Sequence, residues 1–127
     1  MAWDRRTWTV FAALSGLVSV AAGAFAAHAV SDPAAKDLLR TGASYEASHA
    51  LAVLACAALP LHARRAVWPP ALFLLGSAIF SGSLYAMALG APHWLGAITP
   101  VGGLSLMAGW ACLAYAAAGA PREPPPG

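Results

Sequence analysis

The chain has 127 residues, 60% of them hydrophobic and 9% charged, with a formal net charge of +2. A soluble domain of this size carries about a quarter charged residues, so too few charges remain here to solvate a globule. The small net charge and the absence of a basic stripe argue against a nucleic-acid partner, because tracking a phosphate backbone needs clustered Lys and Arg.

Four apolar stretches are predicted as membrane helices in an all-α fold. The first runs over about 8–30 and carries no formal charge. At about 1.5 Å per residue it crosses a hydrocarbon core of about 30 Å with some tilt. A cleaved signal peptide is the competing reading, with Arg5 and Arg6 ahead of the run and Ala27-His28-Ala29 as a small-residue site. The apolar run exceeds the roughly 7–15 residues of such a segment, which favours a retained helix. The second span covers about 43–61, and Asp32-Pro33 predicts that its helix begins near 33. The cap oxygen would satisfy an orphan N–H, and proline has no N–H to lose. Gly42 is a possible bend, and Pro60 ends or kinks the helix.

The third span covers about 67–89, opened by Trp68-Pro69-Pro70, and the fourth about 100–118, opened by the cap pair Thr99-Pro100. Barrel strands are not expected, since these stretches are apolar on both parities rather than alternating. Residues 121–127, rich in proline, are expected to form a disordered tail. Cys56 and Cys112 fall at similar depth and are expected to be buried small side chains, with no disulfide framework implied.

Basic residues set the expected orientation. Arg5, Arg6, Arg64, Arg65 and Arg122 lie at one end of the spans, against Lys36 and Arg40 at the other, where Asp32 and Asp37 offset them. The split predicts a four-helix integral membrane bundle with short loops and both termini inside, in a bacterial inner membrane or, alternatively, a mitochondrial one. Trp3, Trp8 and Trp68 are placed at the inner interface and Trp94 at the outer, where amphipathic rings prefer to sit. Trp110 falls inside the fourth span, so its indole N–H needs a partner. Small residues recur at every fourth position: Ser15, Ser19, Gly23 and Ala27; Ala78, Gly82 and Ala86; Ser105 and Gly109. Such stripes let helices approach closely in lipid, either within one bundle or at a homo-oligomer seam.

Ionisable groups inside spans are costly and mark candidate sites. They are His28, Glu46 and His49, and with Tyr45, Tyr85 and Thr99 they are expected to form one polar layer in the outer half. His28 and His49 are expected to approach across the first two helices. Glu46 and His49 are three apart and share a helix face. That spacing occurs in metal-binding bundles, and His28 would be a third ligand. The competing reading is a hydrogen-bond network that pins the helices together. His62 and His93 fall in loops and are expected to be solvated. No nucleophile elbow, zincin helix or phosphate-binding glycine loop appears.

Four motifs together resemble a known family. Gly23-Ala-Phe-Ala-Ala-His28-Ala29, Tyr45-x-x-x-His49-Ala50-Leu51, Phe80-Ser-Gly-Ser-Leu-Tyr85 and Ile98-Thr-Pro-Val-Gly-Gly103, the last followed by Ala108-Gly109-Trp110, occur in order on the four helices. They are similar to the signatures of the domain of unknown function 423 family, small four-helix membrane proteins with bacterial and animal members. The resemblance implies a multi-pass membrane protein and brings no established activity. In the family a glutamine usually follows the tyrosine, where this chain has Glu46. A neutral amide there implies a hydrogen-bonding role rather than an obligatory charge.

Three function classes follow. The leading one is a structural or accessory protein, not an enzyme and without a cofactor, that binds lipid, a second copy or another membrane protein through its helices. The second is a small-solute or ion transporter with Glu46 as its buried charge. The third is a metal- or haem-binding protein using His28 and His49.

Overall fold

The computed structural model describes residues 4–61 and 64–127, so the readings of Trp3 and His62 lie outside the described residues. It is all-helical: α1 spans Arg5–His28, α2 Pro33–Ala58, α3 Trp68–Ala88 and α4 Thr99–Ala118, with a short 3-10 turn over His93–Ala97. No strand occurs among the described residues.

The helix ends follow local chemistry. Asp4 caps α1, its side chain accepting from the Thr7 N–H at 2.7 Å. This carboxyl, outside the apolar span, is held below the usual carboxylate range by that backbone hydrogen bond. Asp32 caps α2 in the same way through Ala35, with Pro33 in the first turn, as the sequence predicts. α3 closes with Gly90 at φ 101, a left-handed residue that any side chain would strain. The Ala91 N–H reaches Ala86 O and the Gly90 N–H reaches Met87 O, which together make a Schellman ending. α4 corrects one expectation. Its cap position is Ile98, without a side-chain cap, and Thr99 is turned to α3 instead.

Successive helices are antiparallel and pack in chain order, α1 on α2, α2 on α3 and α3 on α4. Among the described residues α1 and α4 share no comparable interface, so α2 and α3 form the centre with α1 and α4 on their flanks. The apolar core joins Trp8, Ala12, Ala52, Val53, Cys56, Phe73 and Leu106 toward the arginine-rich end. Trp8 is thus a core residue, 6% exposed, rather than the interfacial ring expected of it. Trp68 and Trp94 are exposed, as interfacial rings would be.

α1, α3 and the segment His93–Ala118 are each long and apolar enough to cross a membrane. α2 is not among them, although the sequence reading made it the second span. Its buried face explains the difference, since that face carries Glu46 and His49 beside Leu39, Ala43, Ala50 and Val53. Apolar side chains such as Leu17, Val20, Leu51, Leu75, Leu104 and Met107 stay exposed on the outside. That is the inverse of a water-soluble surface and the expected one in lipid.

Glycines set the closest approaches. A side chain on Gly102 would run into the backbone of Phe80, and one on Gly76 would meet Leu106 at 2.6 Å and Gly102 O at 3.0 Å. Gly42 does not break α2, which runs through it as one helix. It makes room for the Tyr85 ring, which a Cβ would meet at 2.5 Å. Of the small-residue stripes, Ser15 and Gly23 on α1 face α2, with Gly23 opposite Ala43, while Ala27 is exposed, and Ser105 and Gly109 face α3. The α3 stripe turns outward: Ala78 and Gly82 are exposed, and nothing lies near a Cβ built on Gly82.

Candidate functional site

Glu46 is the centre of the polar interior, 8% exposed on α2. Its Oε2 accepts from the Tyr85 hydroxyl of α3 at 2.6 Å. Its Oε1 accepts from Ser15 Oγ of α1 at 3.0 Å. One carboxyl group therefore ties three helices. Tyr85 reaches it because side chains lean toward the N-terminus of their own helix, and because Gly42 leaves space for the ring. One turn away, Ser81 Oγ donates to Gly42 O at 2.7 Å and joins α3 to the α2 backbone.

His49 belongs to a second group. The Trp110 indole N–H of α4 donates to its Nε2 at 3.1 Å. Its Nδ1 lies 2.6 Å from Tyr45 O, one turn earlier on α2. An indole nitrogen is a donor only and a carbonyl an acceptor only. The proton therefore sits on Nδ1, which donates to Tyr45 O, and Nε2 accepts. Both ring nitrogens are engaged, and the imidazole is wedged between Phe73 and Trp110, whose ring centroids lie 5.5 Å and 5.9 Å from its own. Trp110 thus finds the partner that its place inside a span requires. A third link joins Thr99 Oγ1 to Ser83 Oγ at 2.6 Å, between α4 and α3.

The expected layer is therefore three separate links at different depths, with no hydrogen bond between them among the described residues. Tyr45 contributes its backbone carbonyl, while its ring is half exposed and packs on Phe80 at 4.6 Å. Glu46 and His49 share a helix face yet bond to different neighbours. His28 does not join. It is exposed in the last turn of α1, where a cationic side chain suits the helix C-terminus. Ser15 lies level with Glu46 and Gly23 level with Ala43. From those pairings His28 and His49 are on the order of 15–25 Å apart along the bundle axis. This corrects the expectation that they meet across α1 and α2. Among the described residues no three His, Cys, Asp or Glu side chains gather to hold a metal ion, so His28, Glu46 and His49 are not a ligand set.

The sequence reading missed Ser15, Ser81 and Ser83 as partners. Nearly every buried side-chain polar atom is satisfied; among the described residues Ser77 Oγ is the one without a partner. Cys56 and Cys112 are free thiols that line different cavities. Beside His49 a groove of about 530 Å³ opens between α2, α3 and α4, walled by Tyr45, Phe80, Leu104, Met107 and Trp110. His93 is exposed on the 3-10 turn.

Apolar helices with an outward apolar surface and an inward polar ladder define an integral membrane protein. Residues 22–103 match the family described as "Protein of unknown function (DUF423)". The chain is 40% identical over 114 residues to the UPF0382 inner membrane protein YgdD of Escherichia coli K12, covering 85% of this chain and 86% of that one. It is 40% identical over 115 residues to a UPF0382 membrane protein of Haemophilus influenzae, covering 87% and 93%. A UPF0382 membrane protein of Schizosaccharomyces pombe is 36% identical over 115 residues, covering 84% and 96%. The chain belongs to this family, whose members named here carry no enzymatic name. No solved structure matches it. Its location is the bacterial inner membrane, the place named for its Escherichia coli relative.

Proposed function

We propose that this protein is a structural or accessory component of the membrane, a four-helix bundle with both termini on the cytoplasmic side. Its outer surface meets lipid and the helices of other membrane proteins or of a second copy. The observation that carries this reading is how the polar groups are used. Glu46 is bonded to Ser15 and Tyr85, and His49 to Tyr45 O and Trp110. Apart from the His49–Tyr45 bond within α2, these contacts link helices to one another, and among the described residues no chain of ionisable groups runs through the bundle. A transporter or proton relay needs such a chain at successive depths, and an enzyme needs a group free to react. In this reading α2 crosses with the others because its Glu46 and His49 are buried against α1, α3 and α4 rather than turned to lipid, and the five-to-two split of basic residues sets the direction.

One observation favours a second reading. Glu46 is a buried acid, and among the described residues no cation lies within ion-pair distance of it. A carboxyl group in that position suits coupling to protons. Purified protein in liposomes holding a pH-sensitive dye separates the two. The accessory reading expects proton flux equal to that of empty liposomes under an imposed gradient. Flux above that level, abolished by Glu46→Gln, would establish the transport reading.

A further inference from the structure

At the arginine-rich end a cavity of about 360 Å³ lies between the start of α3 and the end of α4, lined by Arg64, Arg65, Trp68, Cys112 and Tyr115. Arg65 is held in place there. Its guanidinium carbon sits 3.9 Å over the Tyr115 ring, and Nη1 donates to Tyr115 O at 3.4 Å. A side chain at Gly119 would collide with that Nη1, so the end of α4 is shaped to admit it. One of five guanidinium N–H groups is spent on this contact. Arg64, next to it, is exposed and has no hydrogen bond or ion pair among the described residues. Asp4, the acid nearest in sequence to this end of α1, is turned to its own helix as a cap. Trp68 is exposed and amphipathic, which places the cavity at headgroup depth.

We propose that this cavity binds the headgroup phosphate of an anionic phospholipid. A guanidinium fixed by a ring and a carbonyl presents its remaining donors in the planar fork that suits phosphate oxygens. Arg64 adds a second positive charge with no ion pair among the described residues, and Trp68 and Tyr115 supply walls suited to the glycerol region. Basic pockets between membrane helices recognise anionic headgroups in this way. The site gives the accessory reading its lipid class and rests on that reading only for membrane placement. It does not depend on which way the chain faces, nor on the role of Glu46.

The test is native mass spectrometry of the full chain released from nanodiscs of equal phosphatidylglycerol and phosphatidylcholine, which present both leaflets. Wild type should retain phosphatidylglycerol preferentially. Arg64→Gln removes no hydrogen bond or ion pair among the described residues and should lose about fivefold in retention, with a greater loss for Arg64→Gln/Arg65→Gln. Arg5→Gln/Arg6→Gln makes the same charge change at the same end and should keep the preference. Equal losses in the two double variants would show diffuse attraction and overturn the site. So would a wild type without preference, or Arg64→Gln with the full preference. Inorganic phosphate in excess should leave the lipid bound; displacement would assign the cavity to free phosphate instead.

Discussion

Trp110 and His49 show how a polar side chain is kept inside an apolar helix. The indole N–H has one acceptor, and the imidazole Nε2 has one donor. Trp110→Phe keeps the ring that packs on Phe73 at 4.9 Å but leaves Nε2 buried without a donor. We predict a loss of about 1 kcal/mol in unfolding free energy in detergent. An unchanged midpoint would mean that the bond contributes nothing. Glu46, His49 and Tyr85 were legible in the sequence because ionisable groups are rare inside spans. Their serine partners were not, since a serine in a membrane helix commonly bonds its own backbone, as Ser19 does with Gly16 O and Ser48 with Ser44 O. Residue type alone cannot separate those from Ser15. The error over His28 has a geometric cause. Position along the chain sets depth but not facing. Thirteen positions at about 100° each put His28 about 220° around α1 from Ser15, away from α2.

Helix starts at Asp32-Pro33 and Trp68-Pro69-Pro70 were readable because first-turn prolines, and at the former a capping side chain, act locally. Interfaces are not local, and the small-residue stripes show it. Ser105 and Gly109 meet α3, whereas Ala78 and Gly82, with the same spacing, face outward. The α3–α4 crossing is set instead by Gly76 and Gly102. A methyl at Gly102 would meet backbone atoms of Phe80, which cannot rotate aside. Gly102→Ala is therefore predicted to cost about 1–3 kcal/mol through overpacking. Gly82→Ala meets nothing and should change stability by less than about 0.5 kcal/mol. Thermal unfolding of both variants in one detergent checks the contrast. Similar losses would place Gly82 in an interface, and the outward stripe would then be a seam between copies. At this scale α2 also falls short of the hydropathy of the other three, because a helix buried between two others carries polar groups that a lipid-facing helix does not.

For the whole molecule, the number of crossings decides where the ends lie. The proposed four crossings put both termini on one side and the basic-residue split makes that side the cytoplasm, so alkaline phosphatase fused after Gly127 should be inactive while a fluorescent protein there should glow. An active phosphatase would mean that α2 does not cross or that the chain is inverted. If the four helices do cross, Glu46 is what links three of them. Glutamine in its place keeps the shape, and since hydroxyls both donate and accept, Ser15 and Tyr85 can each still pair with the amide. Leucine leaves the half-buried Tyr85 hydroxyl without its carboxyl acceptor. The central claim is that this carboxyl serves as a hydrogen-bonding hub and not as a charge. Its most direct test is the unfolding free energy of Glu46→Gln and Glu46→Leu in the same detergent, each with and without Tyr85→Phe. The account predicts a change within about 0.5 kcal/mol for glutamine, a loss on the order of 1 kcal/mol for leucine, and coupling of leucine, but not glutamine, to Tyr85→Phe. Equal and large losses for glutamine and leucine would contradict it and show that the charge itself is required.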